Sequence, residues 1–160
     1  MLTLVVTFLL GAFTVLGGIF YLMPNLDVQP VMELPTGRVF PNAFSLKNDG
    51  YLTVYPKEVR FVIRDAIDTN QNAFHNCGAG TEFVSKVSLQ RGESADIAVN
   101  PAFNIGQGSI VRADILLVVK FQQWGWKWPI TKRVKIEIWK DALGNTKFAK
   151  PPLTDEDRKQ

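Results

Sequence analysis

Beyond residue 25 the chain alternates between apolar and polar residues over many short segments, with turn-forming residues between them. Val59, Phe61 and Ile63 fall on one side of such a segment, and Arg60 and Arg64 fall on the other. Successive side chains of a β-strand point to opposite faces, so this period of two predicts strands with one buried face. No segment shows a convincing period of 3.6 residues, and the pattern therefore predicts an all-β domain.

The strongest predicted strand covers residues 109–122, where apolar side chains recur at every second position. They are Val111, Ala113, Ile115, Leu117, Val119 and Phe121. A second segment at 130–139 alternates in the same way, with Val134, Ile136 and Ile138 on one face. Facing side chains on adjacent strands stabilise a sheet, so these two segments are predicted to pair as an antiparallel hairpin.

Further strands are predicted at 27–34, 40–48, 83–89 and 95–99, while the Asn- and Gly-rich stretches 69–80 and 100–108 are predicted to be loops. Asp49 and Gly50 indicate either a hairpin-like reversal or a kinked crossover. About seven strands result, and we expect residues 25–150 to form an immunoglobulin-like sandwich of two antiparallel sheets. The tail, 151–160, is expected to bury nothing and to be mobile.

Residues 2–23 form an uncharged apolar run that differs from the rest of the chain. As a helix it would extend about 33 Å, close to the hydrocarbon thickness of a bilayer. Tyr21 lies near its end, as an interfacial aromatic residue would, and Pro24 provides a stop. A cleaved signal peptide is the alternative, but it needs a basic start, a shorter apolar core and a small-residue cleavage site. We therefore predict a single-pass membrane anchor over residues 1–24.

Small side chains recur along one face of the predicted anchor helix, at Thr7, Gly11, Thr14 and Gly18. Such a face allows close helix packing and therefore self-association. Glycine and threonine are also common in membrane helices that have no partner, so the spacing is compatible with both interpretations.

The charged residues all lie downstream of the predicted anchor, beginning at Asp27, and give a formal net charge of +3. Lysine and arginine are scattered among acids rather than clustered, which argues against nucleic acid as a partner. Asp27 and Glu33 precede Arg38, the first basic residue, so we expect the C-terminal domain on the extracytoplasmic side. Cys77 is the only cysteine, which excludes an intrachain disulfide.

The most distinctive local motif is WGWKWP at 124–129. In an extended conformation Trp124, Trp126 and Trp128 would line one face, with Lys127 opposite. Such a face suits sugar stacking, contact with a partner or a membrane interface. The alternative is that the indoles cover the open end of the sandwich.

Candidate chemistry elsewhere is sparse. His75 and Cys77 are each the only residue of their type, whereas a structural zinc site generally needs four Cys or His ligands. Asp65 and Asp68 could form an acid–base pair, but acids at a turn more often begin a solvated loop. No helix is predicted after Gly78 or Gly80, as a phosphate-binding loop requires. We therefore predict no catalytic residue, no metal and no cofactor.

Three segments resemble bacterial Ig-like domains of the CARDB type: FSLKNDG at 44–50, KEVRFVI at 57–63 and VSLQRGESADIAV at 87–99. Asn48 and Gly50 fill an Asn-x-Gly step, and Leu89, Gly92 and Glu93 fill a Leu-x-x-Gly-Glu turn. The aromatic final hairpin departs from that family's pattern. The resemblance implies a fold and brings no catalytic residues. The expected function is a membrane-tethered, non-catalytic module for an unidentified protein partner, or alternatively a carbohydrate-binding module.

Overall fold

A computed structural model describes residues 24–31, 43–84, 86–99, 102–103 and 110–159 of the chain. These residues form nine strands and one short helix. The strands are β1 (Leu26–Pro30), β2 (Ala43–Asn48), β3 (Val54–Asp68), β4 (Ala73–Phe83), β5 (Ser94–Ala98), β6 (Ala102–Phe103), β7 (Ile110–Gln123), β8 (Ile130–Lys140) and β9 (Thr146–Ala149), and the helix is α1 (Asp155–Lys159).

The strands form two antiparallel sheets, with the orders β1-β2-β5 and β6-β4-β3-β7-β8-β9. The predicted all-β architecture of two antiparallel sheets is therefore confirmed, with nine described strands where about seven were expected. The predicted hairpin is also confirmed, because β7 pairs with β8 from Phe121 opposite Ile130 to Arg112 opposite Trp139. Asp49 and Gly50 lie in a crossover, since β2 and β3 belong to different sheets.

The core lies between the two sheets and contains the apolar positions that the alternation singled out. Val59, Phe61 and Ile63 of β3 are fully buried, as are Phe44 and Leu46 of β2. The rings of Phe44 and Phe61 come from opposite sheets and meet at a centroid distance of 5.4 Å with a 45° tilt. The two sheets therefore contact each other through the apolar faces that the alternating pattern predicted.

The predicted loop at 69–80 is wrong, because most of it belongs to β4. Gly78 and Gly80 pair with Ile63 and Phe61, whose large side chains occupy the core at these levels. Glycine carries no side chain to mark the inward face, so no apolar period appears in the sequence. The loop before β4 is a short turn at 69–72.

The predicted strand at 83–89 is also wrong. Phe83 ends β4 and is largely exposed, and Leu89 forms only an isolated bridge with Val54. The apparent alternation came from Phe83, which is exposed, and Leu89, which is buried but lies in a connecting segment. The strand after it is confirmed: β5 follows a turn at Arg91 and Gly92 and directs Ile97 into the core.

The expectation that the C-terminal tail buries nothing is wrong. Asp157 of α1 is 1% exposed, and its carboxylate lies 2.5 Å from the guanidinium of Arg64. Arg64 lies in a bulge of β3 between Ile63 and Asp65. The carboxylate also accepts hydrogen bonds from the amide and hydroxyl of Thr154, both at 2.7 Å, which is the capping-box arrangement. The tail is therefore held on the larger sheet by a buried charge.

Asp157→Ala is expected to release the tail from β3. The change removes a capping interaction and leaves a largely buried guanidinium without its counter-charge, which costs about 3 kcal/mol where a pair is fully buried. Hydrogen exchange should show loss of protection at the amides of Asp157 and Arg158, which bond to Thr154, and retained protection in β7. Asp155→Ala is the matched control because the Asp155 side chain is almost fully exposed. Equal protection in both variants would contradict the assignment.

The same contact gives the tail a pH dependence. Burial acts to raise the pKa of Asp157, but hydrogen bonds from Thr154 and the charges of Arg64 and Lys135 outweigh burial and lower the pKa below 3.8. A carboxyl whose pKa is lowered on docking stabilises the docked state above its free pKa and loses that contribution as pH falls. Protection of the Asp157 and Arg158 amides should thus be constant down to about pH 4 and decline below it.

Candidate interaction site: the aromatic end of the sandwich

The turn between β7 and β8 holds the WGWKWP motif in a defined conformation. The amide of Trp126 donates to the carbonyl of Gln123 at 3.0 Å, and the amide of Trp124 donates to the carbonyl of Thr53 at 2.8 Å. Gly125 has a φ of +82°, which a side chain would disfavour. The segment therefore reverses at Gly125, and the extended arrangement that was expected for this segment is not formed.

The three indoles of this turn are exposed. Trp124, Trp126 and Trp128 are 64%, 49% and 77% exposed, and Lys127 is exposed beside them. Side chains this accessible do not seal the core, so the structure disfavours the interpretation in which they cover the open end of the sandwich. They form an apolar surface with polar N–H groups, which is the composition of sites that contact a partner or a membrane interface.

Tyr51 extends this surface from the β2–β3 crossover. It is 38% exposed, and the guanidinium of Arg91 lies 3.9 Å from the centre of its ring, within the range of a cation–π interaction. Thr53, two residues further on, accepts the hydrogen bond from Trp124. We refer to Tyr51, Trp124, Trp126 and Trp128 as the aromatic end of the sandwich.

The buried carboxamide of Asn48 holds the segments at this end together. Its Nδ2 donates to the carbonyls of Leu52 and Leu89, both at 2.9 Å, and its Oδ1 accepts from the amide of Gly50 at 3.0 Å. Leu89 in turn pairs with Val54 at the start of β3. Asn48 therefore fixes the crossover that presents Tyr51 and accepts the Trp124 amide.

The described chain begins at the same end. The carbonyl of Asn25 accepts a hydrogen bond from the amide of Asp49 at 2.7 Å, and the ammonium of Lys132 donates to the carbonyl of Leu26. Asp27 forms an ion pair with Lys150 at 2.8 Å. The start of β1 is thus fixed to the crossover and to the larger sheet, next to the aromatic end.

Three of the residues considered for metal or acid–base chemistry, His75, Asp65 and Asp68, have structural partners. His75 lies on β4, and its Nδ1 is 2.5 Å from Asp65, with both side chains exposed. Asp68 accepts hydrogen bonds from the amides of Asn70 and Asn72 and stabilises the β3–β4 turn. The hydrogen bond from the Asn72 side chain also lowers the pKa of Asp68. The part of the chain that the structure describes contains no cluster of three or more metal-ligating side chains.

A groove of about 480 Å³ lies at the opposite end of the larger sheet. Ile67, Arg112, Glu137 and Trp139 contribute to its lining, and Arg112 and Glu137, on the adjacent strands β7 and β8, form an ion pair at 3.5 Å. The length of β8 separates this groove from the aromatic end by about 30 Å. The two surfaces therefore cannot contact one small ligand.

The predicted anchor, with its packing face at Thr7, Gly11, Thr14 and Gly18, lies outside the described residues. Within the described ranges, no helix has the length and apolar character needed to cross a membrane.

Comparisons with protein families, with curated proteins and with solved structures find no match to this chain.

Sequence reasoning did not predict two features of the aromatic end and one feature of the C-terminal tail. Asn48 was noted only as part of a turn motif, although it is fully buried. The contact between Tyr51 and Arg91 joins segments forty residues apart and has no local signature. The Thr-x-x-Asp spacing at Thr154 and Asp157 was a readable capping signal that would have predicted α1.

Asn48→Ala is expected to lower the free energy of unfolding by about 2–4 kcal/mol. The Leu52 carbonyl and the Gly50 amide lose the carboxamide as a partner, and the Leu89 carbonyl keeps only its bond from the Val54 amide. Urea unfolding of the full chain in detergent micelles measures the change. Asn70→Ala is the control, since Asn70 is exposed on the β3–β4 turn. A loss for Asn48→Ala no larger than that for the control would show that the carboxamide does not hold the crossover.

The ion pair at the start of β1 predicts an acid titration. Burial acts to raise the pKa of Asp27, but hydrogen bonds from Lys150 and Gln29 and the charge of Lys150 lower it from 3.8 to about 2. The pair therefore stabilises the fold above about pH 4 and loses its contribution between pH 4 and 2. NMR of the carboxyl carbon should give a midpoint near 2, and Lys150→Met should move it toward 3.8. Lys147→Met is the control; a midpoint that Lys150→Met leaves in place would contradict the pairing.

Proposed function

We propose that this chain is a membrane-tethered, non-catalytic interaction module of a bacterial envelope. Its folded part is an immunoglobulin-like domain of the CARDB type on the extracytoplasmic side. The observation that carries the proposal is the aromatic end, where three tryptophans that are about half exposed or more lie on a hydrogen-bonded turn beside the start of β1. Exposed apolar groups of this size on a rigid turn favour a contact surface.

The strand order supports the immunoglobulin-like assignment. The first, second and fifth strands form one sheet, and the third strand lies beside the two long strands of the final hairpin in the other. This is the distribution of strands A, B and E against C, F and G in immunoglobulin-like sandwiches. The short strands β6 and β9 are added at the edges of the larger sheet.

A protein partner would have sheet edges available as well as the aromatic end. Of the described strands, β5 pairs only with β2, so its outer side offers backbone groups to an added strand. Ser94, Asp96 and Ala98 are exposed along it. Strand addition gives affinity through main-chain hydrogen bonds and is a common mode of peptide recognition.

A carbohydrate-binding module is the second candidate. Indole faces stack on sugar rings, and the exposure of Trp124, Trp126 and Trp128 leaves such faces accessible. Lys127 would add a hydrogen-bond donor.

The tether and the partner can be tested together. The full chain should remain in the membrane pellet after alkaline carbonate extraction, whereas a variant lacking residues 2–23 should be released. Photocrosslinking amino acids at Asp96 and Trp128 should give a discrete adduct from at least one position in native membranes. Leu143, exposed on the β8–β9 turn, is the control position. Release of the full chain, or adducts no different from the control, would contradict the proposal.

The carbohydrate alternative makes a different prediction. Full chain in lipid nanodiscs should bind defined sugars on a glycan array, and replacing Trp124, Trp126 and Trp128 by Ala should abolish that binding. Trp139→Ala, which alters the groove at the opposite end, is the matched control. Glycan binding that survives the triple replacement would exclude the aromatic end as a sugar platform.

A further inference from the structure

We propose that the aromatic end contacts the headgroup region of the bilayer that holds the anchor, and so fixes which end of the sandwich faces the membrane. This inference rests on the proposed tether. It commits the indoles to phospholipid as their partner and leaves the sheet edges for a protein.

The short connection to the anchor is the first argument. Only Pro24 and Asn25 separate the end of the apolar run, Met23, from β1. Two extended residues reach about 7 Å. Asn25 is itself held by its hydrogen bond to Asp49. Little slack remains, so the end of the sandwich that carries Asn25 must lie close to the point where the chain leaves the hydrocarbon.

The second argument is that the aromatic end lies at this same end of the sandwich. Three hydrogen bonds, made by residues that are neighbours along the chain, connect Asn25 with the Trp-rich turn. Asn25 accepts from Asp49, the neighbouring Asn48 binds Leu52, and Thr53 accepts from Trp124. β1 then runs away from this end, because Pro30 pairs with Phe44, whose ring contacts Phe61 in the middle of β3. The Trp-rich turn and the start of β1 therefore lie at the same end of the sandwich.

The chemistry of the aromatic end matches a membrane interface. Tryptophan and tyrosine are enriched at the headgroup level, where an apolar ring and a polar N–H or O–H group are both accommodated. Arg91 and Lys127 carry positive charges at the same end, while its acids Asp49 and Glu93 are paired with Lys47 and with the amide of Gln90. Basic residues near the surface strengthen contact with anionic lipids. The headgroup region of a bilayer can therefore accommodate both the exposed rings and the charged side chains beside them.

The placement has a consequence for the rest of the domain. With the aromatic end at the headgroups, β7 and β8 extend away from the membrane. The groove at Arg112 and Trp139 lies at their far end, about 30 Å from the indoles. The outer edge of β5 remains accessible from the side.

Tryptophan fluorescence tests the contact directly, because all four tryptophans lie in the folded domain and none lies in residues 1–24. The full chain carrying Trp139→Phe retains only the three indoles of the aromatic end. It is reconstituted into vesicles of phosphatidylcholine and phosphatidylglycerol, with or without bromine on the upper acyl carbons. We expect brominated lipid to lower the emission about twofold, since interfacial indoles lie within contact distance of those carbons.

The matched control replaces Trp124, Trp126 and Trp128 by Phe and retains Trp139, whose emission should be the same in both vesicles. Equal emission from the Trp139→Phe chain, while it still resists carbonate extraction, would overturn the membrane contact and leave the tether standing. Release of that chain from the vesicles by carbonate would overturn both. Glycan binding by the indoles without quenching would likewise overturn the contact, in favour of the carbohydrate alternative.

Discussion

The packing of two apolar faces against each other is the interaction on which every other feature of this domain depends. Phe44 on the smaller sheet and Phe61 on the larger sheet meet in the middle of the core. Burial of each such side chain contributes about 1.5–3 kcal/mol relative to exposure. The chain contains a single cysteine, so no intrachain disulfide supplements this packing. The buried apolar positions therefore stabilise the fold, and the turns and ion pairs arrange the segments that connect its strands.

Two buried polar contacts then decide where the connecting segments go. Asn48 satisfies backbone groups in the crossover between the sheets, and Arg64 with Asp157 places the tail on the outer side of the larger sheet. Groups of this kind add little net stability compared with apolar packing, but leaving one partner unpaired is costly. They therefore select one arrangement of the chain. The arrangement that Asn48 selects places Tyr51 at the same end of the sandwich as Trp124.

The alternating pattern predicted those strands in which apolar side chains occupy successive positions of the buried face. β7 and β8 were found because one face of each carries branched apolar residues, which must be covered in any fold. β4 was missed since its inward positions beside Phe61 and Ile63 are glycines, and a strand without inward side chains has no period to detect. The tail was misread for a related reason: Asp157 is buried by an ion pair whose partner is more than ninety residues away, and hydropathy cannot register such a contact. The Trp-rich motif was recognised, but its turn depends on bonds to Thr53 and Gln123 that pattern alone does not supply.

The geometry of the aromatic end bears on the choice between a lipid and a sugar as its partner. A sugar platform requires indole faces that an extended glycan can reach from solvent. If the apolar run spans a bilayer as proposed, a connection of only about 7 Å would place these indoles at the headgroup layer. In that proposed arrangement a glycan chain would have to displace hydrated headgroups to stack on the rings, whereas phospholipid would already be next to them. Under the proposed tether, the short connection favours lipid at the aromatic end. It leaves the outer edge of β5, which pairs with no other described strand, as the place where a soluble partner would add a strand.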